Sequence, residues 1–377
     1  MTEADWLKAK DPDGMLRQVE RRLSPRQWHL LACAVARRAW DVVPAGAPRD
    51  ALDWAERNAG EAAGSPEAAE FLSRLEPAAR AGAEAAREVQ RQIVLAADPD
   101  ADPDSFQHTD ARKTNPSAPL FQAACRAAKT AVEEAAEAVP HAVEAVAELL
   151  AHRPGATQLA RVRELIIEAI RSRAGANLYA SLALKLKDKG DEVADQDTSR
   201  SVRLRYSTAC NTVQKEEEFA NLKHSEQRGQ MEKADRKALG RSLLDLVGNP
   251  YRPYRFEPTW RTSTVVGLAK TIASDRAFDR MPILADALLD ADCDEEAVLR
   301  HCRGSEAHAP DGPAHGRGCW VLDLILEVEP AFFSAEPLCA ERPPARPPAA
   351  GRTTPGWSGL LDALRAGNLA DPDDQDE

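Results

Sequence analysis

Aromatic residues are scarce, 5% of this 377-residue chain, although hydrophobic residues reach 43%. A β-sandwich or barrel draws heavily on aromatic and β-branched side chains, so this shortage, with alanine supplying much of the apolar content, argues against an all-β fold and for close-packed helices. No apolar run approaches the roughly 20 residues needed to cross a bilayer. The opening Met1-Thr2-Glu3-Ala4-Asp5 lacks the basic-then-apolar order of a secretory signal, so a cytoplasmic location and no membrane partner are expected. Cysteine is sparse and odd in number, seven in all and widely spaced, which disfavours a disulfide framework and makes reduced, mostly buried thiols the expectation. Catalytic signatures are lacking too. There is no phosphate-binding P-loop, no GxGxxG and no HExxH, and Gly356-Trp357-Ser358-Gly359 is not a nucleophile elbow.

Charge is abundant but unbalanced. The formal net charge of −12 disfavours generic nucleic-acid binding, because the chain as a whole is repelled by a phosphate backbone. Residues 152–255 nevertheless carry 20 Lys and Arg against 14 Asp and Glu, so a basic middle lies between acidic flanks. That middle either packs against its own acidic neighbours or docks an acidic partner.

Helix-start chemistry recurs in the first 58 residues. Thr2 with Asp5 resembles a capping box, and Asp11-Pro12 and Ser24-Pro25 each place a capping oxygen before a proline at the first helical position. Trp28, Leu31, Ala32, Val35 and Ala39 form one apolar stripe at helical spacing, with Arg37 and Arg38 off it. Ser65-Pro66 starts a further helix that Pro77 should interrupt. Residues 118–151 hold 13 alanines, a strong helical preference that Pro140 should kink or split. A second apolar face from Leu159 to Ile170 begins a helix expected to reach Leu186. Lys185 to Arg200 is charged without apolar period and reads as an exposed connection. Residues 207–247 read as a polar helix stopped by Gly248-Asn249-Pro250, and Thr264 can cap the next helix. Short helices are expected near 282–291, 294–302 and 319–327. From Pro330 onward 8 of 48 residues are proline, which predicts an extended tail.

Two stretches are familiar together: MTEADWLKAKDPDGML…RRLSPRQWHLLACAVARRAW at the start, and LLDLVGNPYRP…PTW…TVVGLAKTIASDRAFDRMPILADALLDADC…LRHCRG…HGRGCWVLDLIL later. They resemble a family of uncharacterised proteins multiplied in planctomycete genomes, over roughly residues 1–58 and 239–326, about 40% of the chain. The resemblance implies an all-helical module whose two ends fold together, and it implies no catalytic residues. The expected fold is therefore an all-α multi-helix array: an N-terminal segment 1–58, an alanine-rich region 65–184, a charged and partly mobile insertion 185–238, a C-terminal segment 239–329 packing with 1–58, and a disordered, proline-rich acidic tail 330–377. Trp28 and Trp320 should be core residues.

Three constellations could carry function. Asp98, Asp100, Asp102 and Asp104 alternate like the start of a calcium loop, yet Pro103 stands where an EF-hand needs glycine and Thr109 where it needs glutamate, so an acidic turn is the better reading. Cys293, His301, Cys302, His315 and Cys319 combine thiolates with imidazoles around a glycine-rich loop, as a structural zinc site would. Their spacing is irregular and holds no CxxC knuckle, which favours core cysteines with surface histidines, no stoichiometric zinc, and a Cys302→Ser variant that changes little. Arg200, Arg203 and Arg205 would share one face if RSVRLRYS were a strand, and could then grip phosphate or carboxylate, although the surroundings read as helix.

In the tail, Trp357, Leu360, Leu361 and Leu364 fall at i, i+3, i+4 and i+7, the pattern of a short helix that docks in a groove. The functional expectation from sequence is thus a non-enzymatic interaction or regulatory protein whose partner is another protein. A zinc-binding protein or metal-dependent enzyme, and a nucleic-acid-associated protein acting through the basic middle, are the alternatives.

Overall fold

Each of the first three helices starts on the cap that the sequence provides. Thr2 and Asp5 exchange capping-box hydrogen bonds at the head of α1 (Glu3–Leu7), Asp11 caps α2 (Pro12–Val19), and Ser24 with Gln27 forms a second capping box on α3 (Pro25–Ala36). A 3-10 turn, Arg37–Ala39, and α4 (Ala47–Arg57) complete the N-terminal segment. The computed structural model describes residues 1–97, 116–195, 202–252, 254, 256–304 and 315–328, and no strand occurs among them. The fold is all-helical.

Four long helices follow: α5 (Pro66–Ala97), α6 (Ala118–Ala151), α7 (Ala156–Asp195) and α8 (Val202–Val247). At 1.5 Å per residue α8 is about 70 Å long. Contacts fix the directions. Glu144 pairs with Arg161 near the α6–α7 turn, whereas Phe121 reaches Gly190 at the far end, so α6 and α7 run antiparallel. Along the α7–α8 seam Glu216 binds Lys185 and Lys189, Tyr179 Oη donates to Asn221, and Arg163 pairs with Asp235, again antiparallel.

Pro77 and Pro140 do not break their helices. Both are exposed, so neither ring intrudes on a packed face, and around Pro140 the buried Ala136, Val139 and Val143 hold the backbone in register. The charged run after Leu186 is likewise helical as far as Asp195 rather than a free connection: Lys187 bonds Asp191 within the helix and Lys189 reaches Glu216 on α8.

Three apolar clusters result. The first joins α1–α4 to α5, to the adjoining halves of α6 and α7, and to Leu239, Leu243, Leu246 and Val247 at the end of α8; Trp28 belongs here. A small alanine-rich cluster occupies the far end of α6–α8. The third cluster is built by α9 (Ser263–Asp275), α10 (Met281–Leu289), α11 (Glu296–Arg303) and α12 (Trp320–Leu326), and contains Trp320. The cap of α9 is Thr262, two residues ahead of Thr264.

Residues 1–58 meet the segment that begins at residue 239 in two different ways. Trp6 Nε1 donates to the Gly248 carbonyl at 2.7 Å, and residues 239–247 share the first core. The α9–α12 segment has its own core and joins the first largely through polar contacts: Arg26 grips both oxygens of Asp323, and Glu56 receives Arg37, Arg276 and Arg317. At this seam Gly318, φ +86°, lets the backbone pass so close that a Cβ there would sit 2.5 Å from Leu30 Cδ1 and 2.8 Å from Leu246 Cδ1.

Candidate metal centre

Asp245 lies in the last turn of α8, inside the apolar run Leu243-Leu244-Asp245-Leu246-Val247. Its leucine and valine neighbours point into the first core and turn the carboxylate towards the α9–α12 segment. A buried carboxylate at the negative end of a long helix is doubly unfavourable, from desolvation and from the helix dipole, and it needs compensating positive charge or hydrogen-bond donors. Three groups converge on it. His301 comes from the last turn of α11, His315 from the Gly-rich segment before α12, and Cys319 is the residue that precedes α12.

The geometry is compact. His315 Nδ1 is 2.8 Å and His301 Nε2 3.3 Å from Asp245 Oδ1; His301 Nε2 is 3.2 Å and His315 Nδ1 3.8 Å from Cys319 Sγ. One ligand atom from each of the four residues lies within 4.8 Å of every other. A tetrahedral zinc site with bonds of about 2.1 Å to nitrogen or oxygen and about 2.3 Å to sulfur has edges of roughly 3.3 to 3.6 Å, and the four measured edges bracket that range. The second carboxylate oxygen, Asp245 Oδ2, accepts the backbone N–H of Gly316 at 2.8 Å, which fixes the carboxylate plane. Tyr254 stacks on Trp320 at 4.1 Å, and the His301 ring leans on the same indole, so an aromatic wall backs the cluster.

Electrostatics follow from burial. Desolvation opposes ionisation of Asp245, but hydrogen bonds with His301 and His315 outweigh it and hold the carboxyl well below the usual carboxylate range. Burial lowers the His301 imidazole, and burial together with the Asp245 charge raises the Cys319 thiol well above its ordinary value. Asp⁻, Cys⁻ and two neutral imidazoles around a divalent cation sum to zero charge, a balance that suits an enclosed site.

Of the five sequence candidates the structure brings together His301, His315 and Cys319, and the histidines are not on the surface: His315 is 6% exposed and His301 half-buried. Cys293 and Cys302 stay outside the four-residue group. They are packed into the α9–α12 core as free thiols, with Cys302 pushed up to about 12 by burial and then by Cys293. Asp245 was not among the candidates. Its signal was a lone charge inside an otherwise apolar helical turn.

From Val202 onward the arginine stretch is helical rather than a strand, so Arg203 and Arg205 do not share a strand face. Arg200 lies outside the described residues, Arg203 is in the first turn of α8, and Arg205 donates to the Val193 carbonyl on α7. The Asp98–Asp104 turn with Thr109, and the tail positions Trp357, Leu360, Leu361 and Leu364, also lie outside the described residues. No helix among the described residues is long and apolar enough to cross a membrane. Compared with known proteins, the chain matches no family model, no curated protein and no solved structure.

Proposed function

We propose that this chain is a zinc-binding helical protein in which Asp245, His301, His315 and Cys319 hold one ion that clamps the α9–α12 segment onto the end of α8. The observation that supports this reading is the convergence of four ligand atoms of suitable type from three separate chain segments, four of their six separations falling between 2.8 and 3.8 Å and none exceeding 4.8 Å. A thiolate with two imidazoles selects zinc over magnesium or calcium, which prefer all-oxygen shells. Four protein ligands leave no open coordination position, so the ion's role is structural, in keeping with a non-enzymatic scaffold or regulatory protein.

The test is elemental analysis after stripping and reconstitution with zinc. One zinc per chain is expected, lost in both Asp245→Ala and Cys319→Ser and retained in Cys302→Ser. Cobalt(II) in place of zinc should show the visible bands of a tetrahedral thiolate site. A reconstituted protein without stoichiometric zinc, or one whose zinc survives both ligand substitutions, would overturn the reading.

A further inference from the structure

Between α3, the following 3-10 turn, α4 and the last quarter of α8 lies a cavity of about 380 Å³, within the usual range for small-molecule sites. Six cationic side chains line it: Arg37, Arg38, Lys237, Arg241, Arg276 and Arg317. Only two carboxylates do, Glu56 and Asp245, and the second is engaged by the histidines. Glu56 serves Arg37, Arg276 and Arg317, Arg37 also reaches Asp53, and Arg38 turns to Asp235 behind the wall.

Arg241 Nη2 is buried without a hydrogen-bond partner among the described residues, and Arg317 Nε, also buried, has only Glu56 Oε2 at 3.6 Å, beyond hydrogen-bond distance. A buried donor on a charged group is costly to leave unpaired, so its persistence on a cavity wall points to an acceptor brought by a ligand. Leu30, Leu31, Ala34 and Leu246 add an apolar part to the lining.

We infer that this cavity binds a phosphate monoester with an apolar body, the phosphate held by Arg241 and Arg317 and the body laid against Leu30, Leu31 and Leu246. Guanidinium forks suit a dianionic, tetrahedral oxyanion, and a predominantly cationic lining matches its charge better than that of a monoanionic carboxylate. The inference does not rest on bound zinc. The lining cations come from the 3-10 turn after α3, from α8, from Arg276 and from Arg317 between the proposed ligands His315 and Cys319, and zinc content recorded on the same samples keeps the two proposals apart.

The experiment is calorimetric titration of the full chain at fixed salt with phenyl phosphate, inorganic phosphate and benzoate. Phenyl phosphate should bind saturably and at least tenfold more tightly than inorganic phosphate, because only it uses the apolar part of the lining. Arg241→Gln should weaken it at least tenfold. Ala238→Phe, which fills the cavity from α8 without replacing a cation, should abolish it; circular dichroism verifies that each variant is folded. Absence of saturable phenyl phosphate binding, benzoate binding more tightly than phenyl phosphate, or binding kept within twofold by both folded variants would overturn the proposal.

Discussion

At the scale of single residues, two positions carry more than their size suggests. His29 is fully buried; its Nδ1 accepts the Gly60 N–H at 3.2 Å while Nε2 has no hydrogen-bond partner among the described residues. Desolvation lowers its pKa from 6.5 to about 4. Between those values the unfolded chain binds a proton that the folded chain refuses, so stability falls as pH drops from about 6.5 towards 4, by about 3 kcal/mol in all. Urea midpoints at pH 7 and pH 5 should show this loss, and His29→Gln should flatten it. Gly318 is the second position. Alanine there meets both a positive φ and the side chains of Leu30 and Leu246, so Gly318→Ala is expected to cost about 2 to 4 kcal/mol in chemical denaturation. The same scale shows why the metal centre was only partly legible in the sequence. His301, His315 and Cys319 stand out because of their residue type, but Cys293 and Cys302 look identical to ligands until the core places them, and Asp245 comes from a helix far upstream.

Helices were more legible than the site. The caps at Thr2, Asp11 and Ser24 are local interactions within four residues, and local chemistry is readable without tertiary structure. What escaped is what depends on a partner. The end of α7 lacks an apolar period, yet it is helical where Leu182, Ala183 and Leu186 bury against α6 and α8, with Glu216 of α8 pairing Lys185 and Lys189. Pro140 within α6 is the clearest conflict between propensity and packing. An internal proline costs a helix about 3 kcal/mol through its missing N–H and its ring, and here the buried neighbours on α6 absorb that cost. Because Pro140 is itself exposed, Pro140→Ala removes the penalty without opening a void. It should raise stability by about 1 to 3 kcal/mol, read as a higher urea midpoint with an unchanged slope.

On the scale of the whole molecule, the α9–α12 segment has its own core and meets the rest through Arg26–Asp323, the Glu56 cluster and the proposed zinc centre. A metal clamp at such a seam couples ion binding to local rather than global stability. Chelation should therefore speed amide hydrogen exchange in α11 and α12 while α6 and α7 stay protected, and uniform loss of protection would place the ion's effect elsewhere. The seam between Trp6 and Gly248 has a different consequence, one of timing. These two residues are hydrogen-bonded across 242 positions of sequence, so at roughly 5 to 20 residues per second the N-terminal helices wait on the order of tens of seconds after synthesis for the end of α8 to appear. During that interval α5–α7 already cover part of the N-terminal helices, but the faces that pack on the end of α8 stay uncovered until the ribosome delivers residues 239–248.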